Sequence, residues 1–195
     1  MSPRDHRPRI TGGKWKGRIL QGGVPGNIRP TSSRVREAIG SILSSRLVDS
    51  HVLDLFGGAG TVSLEAMSRG AAFVVTIEKN RHAQNAIRKS IDGLDDPEKF
   101  SLIRGDALGF LRKGPTADAD RFDIIFADPP YQSDLYQKAL ELVARKGWLR
   151  DNGVVMVEHA TRIPMSQPPP GLAINGTHRY GDTCLVIYEA TSEGT

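Results

Sequence analysis

Apolar strand-like runs alternate with helix-patterned segments from residue 51 to residue 158, and a glycine-rich turn follows the first run. Several of these runs also end in or near an acidic residue. Together these features predict an α/β protein built as a doubly wound, mostly parallel sheet. The 195 residues are 38% hydrophobic, enough to bury a proper core in one domain behind an N-terminal extension.

Taken in order, residues 9–20 predict a β-hairpin or two short strands, with Gly12, Gly13 and Gly17 as bends, and residues 22–27 a flexible loop. Thr31, Ser32 and Ser33 offer N-caps for a helix over 34–47, where Val35, Ile39, Ile42 and Leu43 recur at helical spacing. His51-Val-Leu-Asp-Leu-Phe-Gly-Gly-Ala-Gly60 reads as a strand breaking into a turn, and Val62, Leu64, Ala66 and Met67 suit the helix that follows. Strands are then predicted at 73–78, 100–104, 122–127 and 153–158. Helices are predicted at 81–91, 107–113 and 134–145, the last from the spacing of Leu135, Ala139, Leu142 and Val143. A loop over 164–171 containing Pro168-Pro-Pro170 precedes a final pair near 173–179 and 183–189, and residues 192–195 should fray.

The acidic and glycine positions carry the chemistry. Glycines let a backbone turn sharply and approach a ligand closely, and the following helix N-terminus presents free N–H groups. Glu78, closing the next apolar run, occupies the place where a nucleotide-type fold holds ribose hydroxyls. A dinucleotide fingerprint would need G-x-G-x-x-G, yet the register from Gly58 reaches Ser63 and the register from Gly57 meets Ala59. Asp54 at the mouth of the turn would repel the pyrophosphate of NAD but not the cationic ammonium of S-adenosylmethionine, which favours S-adenosylmethionine over NAD. In Asp123-Ile-Ile-Phe-Ala-Asp-Pro-Pro-Tyr131, Asp128 can accept from an NH2 group, Pro129 and Pro130 stiffen the loop, and Tyr131 offers a stacking face. A plain strand-to-loop turn is the competing reading of this segment.

Charge is unevenly placed. Residues 1–50 sum to +7 and the remainder to −3, giving the net +4 of a basic arm on a slightly acidic body. Arg9, Lys14, Lys16, Arg18, Arg34 and Arg36 are candidate phosphate contacts, with Trp15 between two lysines as an aromatic surface. The plainer alternative is a solvated arm with Trp15 packed on the core. The single cysteine, Cys184, lies in an apolar run and reads as a buried thiol. His6, His51, His82, His159 and His178 show no metal-ligand spacing, so no metal site is expected. No apolar run approaches the roughly 18 residues that cross a bilayer, and no secretion signal is evident, so a cytoplasmic protein without a membrane role is expected.

Asp54-Leu-Phe-Gly-Gly-Ala-Gly60, Glu78, Gly105-Asp106-Ala107 and Asp128-Pro-Pro-Tyr131 resemble the cofactor and catalytic motifs of class I S-adenosylmethionine-dependent methyltransferases acting on exocyclic amino groups. Arg9-Ile-Thr-Gly-Gly-Lys-Trp-Lys-Gly-Arg-Ile-Leu20 and Arg29-Pro-Thr-Ser-Ser-Arg-Val-Arg-Glu-Ala-Ile39 narrow the match to the RsmD family, bacterial 16S ribosomal RNA guanine-N2 methyltransferases. The resemblance runs from about Arg9 to Glu189. It implies a Rossmann-like class I methyltransferase fold with a mostly parallel seven-stranded sheet, a C-terminal antiparallel hairpin and an N-terminal β-hairpin extension. The implied units are a basic extension over 1–30, a catalytic domain over 31–191 and a tail over 192–195.

The same resemblance implies Asp128, Pro129, Pro130 and Tyr131 as catalytic. It implies Arg29, Thr31, Asp54, Phe56, Gly58, Gly60, Glu78, Lys79, Asp106, Ala107 and Asp128 as residues binding S-adenosyl-L-methionine. The expected partner is 16S rRNA, within an assembling small ribosomal subunit, and the expected state is a monomer. The Asp-Pro-Pro-Tyr loop by itself also fits a DNA adenine-N6 or cytosine-N4 methyltransferase. The basic arm by itself would suit a noncatalytic RNA-binding module, and a nicotinamide oxidoreductase is disfavoured by the broken fingerprint.

Overall fold

The computed structural model describes residues 7–21, 31–130, 134–163 and 167–191. Helices α1 (Ser33–Ile42) and α2 (Ser44–Leu47) lead into β1 (His51–Asp54), α3 (Thr61–Ser68), β2 (Phe73–Glu78) and α4 (Arg81–Ile91). Then follow β3 (Phe100–Arg104), α5 (Ala107–Lys113), β4 (Phe122–Ala127), α6 (Leu135–Lys146), β5 (Leu149–Ala160), β6 (Leu172–Tyr180) and β7 (Thr183–Ala190). The seven strands form one sheet in the order β3-β2-β1-β4-β5-β7-β6, parallel except where β7 pairs with β5 and β6. The strand order reverses between β1 and β4. In open α/β sheets ligands bind beyond the carboxyl ends of the strands at such a reversal.

The pleat divides the core between two faces. Odd-numbered residues such as Leu53, Val75, Ile125 and Val155 pack with Leu111, Leu140 and Val143 from α5 and α6. Even-numbered ones, Val52, Val74, Ile124 and Val154, pack with Val35 and Ile39 of α1 and Leu64 of α3. Ile10, Trp15 and Leu20 complete that second face, so the N-terminal segment is part of the core.

Three expectations are revised. The β-hairpin over 9–20 reduces to a single antiparallel bridge, Arg9 with Ile19, inside a series of turns. Gly13 explains part of this: it lies at φ 77°, and a Cβ there would fall 1.8 Å from the Ser68 carbonyl oxygen. The helix over 34–47 divides at Leu43, which lets both Leu43 and Leu47 reach the core. The strand over 153–158 extends to Leu149–Ala160, with an irregular register between Phe122 and Ile124 on its neighbour. The loop over 22–27, Arg29, Tyr131 and the tail over 192–195 lie outside the described residues. No helix among the described residues is long and apolar enough to cross a membrane.

Candidate active site

At the reversal point lies a cavity of about 510 Å³. Its wall includes Thr31, Asp54, Phe56, Gly58, Glu78, Lys79, Asp106, Ala107, Asp128, Pro129 and Pro130. The carboxyl ends of β1, β2, β3 and β4 therefore deliver their acidic residues to one space. Gly60, named beside Gly58 for cofactor binding, sits behind this wall as the N-cap of α3, at φ 72°. A Cβ on it would come within 2.9 Å of Ile87, so the turn closes against α4 through a glycine.

Each acid is held differently. Glu78 accepts one backbone N–H on each oxygen, from Gly58 at 2.7 Å and from Asn80 at 2.6 Å, which fixes its carboxylate against the glycine turn. Asp106 caps α5 through Gly109 N–H at 2.8 Å while it also borders the cavity. Asp54 is 1% exposed and accepts from Ser63 Oγ at 2.5 Å and Phe56 N–H at 3.2 Å. Thr76 Oγ1 donates in turn to Ser63 Oγ at 2.8 Å. Burial is the main reason the Asp54 carboxyl is pushed up to about 6; the Ser63 and Phe56 hydrogen bonds oppose the shift and Glu78 adds to it.

Asp128 follows β4 immediately, and its Oδ2 lies 3.5 Å from the Thr31 hydroxyl. Burial, then the neighbouring charges of Glu158 and Asp54, raise its carboxyl well above the usual carboxylate range. Glu158, 2% exposed near the end of β5, is itself pushed up to about 7 by burial. Sequence reasoning placed Glu158 at a strand end without giving it a role, although it closes an apolar run as Asp54 and Glu78 do. Ser63 and Asn80 were also missed, because a polar residue in a helix or at its cap carries no sequence signal of facing a site.

Two residues expected to contact RNA are corrected. Trp15 is 7% exposed, with its backbone N–H bonded to Ser68 Oγ, and Lys14 Nζ sits 4.5 Å over its ring. It is a core residue and offers no open stacking face. Arg36 is 3% exposed; it donates to the Thr31 carbonyl, the Arg9 carbonyl and Glu65. Its guanidinium locks the arm onto the body and does not face a phosphate. Arg9, Lys14, Lys16 and Arg34 are exposed, and Arg18 is half-buried with a bond to the Gly93 carbonyl. Lys14 also pairs with Asp96 at 2.8 Å.

The acids suit a cationic donor that carries a ribose and a base and disfavour a pyrophosphate, while the glycine turn lets the backbone come close. No cluster of His, Cys, Asp and Glu among the described residues could hold a metal ion.

The family model described as Conserved hypothetical protein 95 matches residues 8–189. The chain belongs to this family. It is 30% identical over 186 residues to Ribosomal RNA small subunit methyltransferase D of Escherichia coli strain K12, covering 95% of this chain and 91% of the relative. The protein of the same name from Haemophilus influenzae is 32% identical over 161 residues, 82% of each. A solved structure described as putative methyltransferase yhhF from Escherichia coli superposes with a TM-score of 0.81 at 31% identity, covering 96% of this chain and 99% of that one. An RNA methyltransferase from Salinibacter ruber, solved with S-adenosyl-L-homocysteine, shares the fold at a TM-score of 0.64 and 15% identity, covering 86% and 97%. As a member of the family the chain is a methyltransferase.

Proposed function

We propose that the chain methylates the exocyclic N2 amino group of a guanosine in 16S rRNA, acting as a monomer in the cytoplasm on an assembling small subunit. The observation that carries this reading is that Asp128 and the proline pair border the same cavity as the glycine turn and Glu78. When bound, S-adenosylmethionine supplies a methyl group already activated by its sulfonium charge.

The residues of the chain then have separate tasks. Glu78, fixed by two backbone N–H groups, keeps lone pairs for the ribose hydroxyls, and Asp106 with the Ala107 amide addresses the adenine edge. Gly58 lets the backbone come close, while Phe56 and Lys79 flank the same space. Thr31 borders the same cavity and is assigned the methionine end, a role the sequence resemblance gives to Arg29 as well. Asp128 accepts from the substrate NH2, whose lone pair is otherwise delocalised into the base. Stabilising the more tetrahedral, positively charged nitrogen favours the transition state over the ground state. Tyr131, next in the sequence after the proline pair, has the ring assigned to stack on a base drawn out of its helix. Holding amine and methyl in line supplies much of the acceleration.

The test is incubation with labelled S-adenosylmethionine and small-subunit rRNA, naked and partly assembled, followed by nucleoside analysis. Label in N2-methylguanosine is expected; label in N6-methyladenosine or N4-methylcytidine, or none, overturns the reading. Asp128→Ala should lower kcat by about a hundredfold or more while the Kd for S-adenosylmethionine, measured by calorimetry, changes little. Turnover like that of the unaltered protein would remove Asp128 from the mechanism.

A further inference from the structure

Three adjacent strands bring an acid to the same face of the sheet: Asp54 on β1, Asp128 just after β4, and Glu158 on β5. Asp54 pairs in register with Phe126, and Phe126 with Met156; Asp128 and Glu158 each lie two residues farther along. They are therefore cross-strand neighbours. Glu158 Oε2 has no hydrogen-bond partner among the described residues. The Thr31 hydroxyl reaches toward Asp128 and favours the charged form of both carboxyls.

Among the described residues, the other elements around the pair bring no countercharge to it. From α1, Arg36 is committed to two backbone carbonyls and Glu65. On β5, His159 projects to the opposite face, stacked on Tyr136 of α6 with ring centroids 6.3 Å apart. From β7, Leu185 lies opposite Glu158. From β1, Asp54 adds a like charge. A second full negative charge here would be expensive, and a shared proton removes it.

We propose that Glu158 is a positioning residue that shares one proton with Asp128, keeping Asp128 ionised toward the substrate amine yet basic enough to take the proton that amine sheds. The proposal rests on the amine methylation above. In the step, the amine lone pair forms the N–C bond as the C–S bond breaks with its electrons going to sulfur. The cationic nitrogen then releases a proton to Asp128, and the N–H electrons stay on nitrogen. One positive charge on sulfur and one negative charge on the carboxyl pair vanish together. Burial, which pushes Glu158 up to about 7 and Asp128 well above its ordinary range, agrees with one proton held near neutrality.

The experiment compares Glu158→Gln and Glu158→Asp with the unaltered protein, in single-turnover rate against pH and in donor-free thermal unfolding. Glu158→Gln keeps the shape but cannot share the proton that holds Asp128 ionised, so the ascending limb of its profile should move to higher pH by about one unit or more, with KM for RNA little changed. Glu158→Asp should restore part of the original limb. Without donor, Glu158→Gln should gain stability over the unaltered protein as pH rises from 4.5 to about 7. A coincident rate profile, or unfolding curves that track each other at every pH, overturns the proposal. If the unaltered protein methylates no RNA amine, the functional reading fails while the donor-free comparison still decides whether Glu158 holds the proton.

Discussion

In the proposed reading, Glu78 serves the protein and its ligand together. Each of its oxygens accepts a backbone N–H, so the carboxylate arrives aimed and costs little to order when ribose hydroxyls approach. Glu78→Ala should weaken S-adenosylmethionine binding by about tenfold to a hundredfold, as expected for loss of charge-assisted hydrogen bonds. An unaltered Kd by calorimetry would contradict the ribose role. At this scale the acids were legible because each closes an apolar run, a pattern that follows from strands ending where ligands bind. Trp15 and Arg36 were misread because a local run of positive charge says nothing about which side chain turns inward. Ile10, Trp15 and Leu20, spaced evenly through the arm, carried the signal for packing.

Helix α3 links two parts of the molecule. Its first turn follows the glycine bend, and its last turn grips the arm: Ser68 accepts from Lys14 N–H through its carbonyl, donates from Oγ to the Gly12 carbonyl, and accepts from Trp15 N–H. One turn earlier, Glu65 is 4% exposed, accepts from Thr11 N–H at 2.6 Å and Arg36 Nε at 3.4 Å, and lies 3.5 Å from Arg69 Nε. Removing one partner from such a buried group strands the others. Glu65→Ala should therefore destabilise the protein by about 3–5 kcal/mol, read from denaturant unfolding. A loss below about 1 kcal/mol, typical of a surface pair, would show that the cluster is not the anchor. The parallel strands and α4, α5 and α6 were legible from periodicity. The arm was not, since its form is set by contacts with α3 and α1 some fifty residues away in one case, and by close backbone approach at Gly13.

Over the whole molecule, two charge properties can be measured. Asp54 rises from 3.8 to about 6 and Glu158 from 4.5 to about 7, so the folded protein keeps these protons where the unfolded chain has released them. Stability should fall as pH climbs from about 4 to about 7 and the cost should be complete above that, each group contributing on the order of 3 kcal/mol. Thermal unfolding that showed stability rising across this window would contradict the burial of both carboxyls. The second property is the basic arm. Lys16 and Arg34 are exposed, and Arg9 is exposed with its guanidinium donating to the Gly17 carbonyl, so a triple Ala variant should lower the salt slope of RNA binding by about 2. An unchanged slope would remove the arm from the RNA footprint.

The grip of α3 on the arm also bears on any attempt to trade specificity between relatives. The eight residues of α3 span only about 12 Å, with the cavity at one end and the arm's anchor at the other. A chimera that imported a foreign leader of twenty residues would therefore inherit a mismatched socket. Carrying Glu65, Ser68, Arg69 and Arg36 along with the graft should be the minimum transplant that folds.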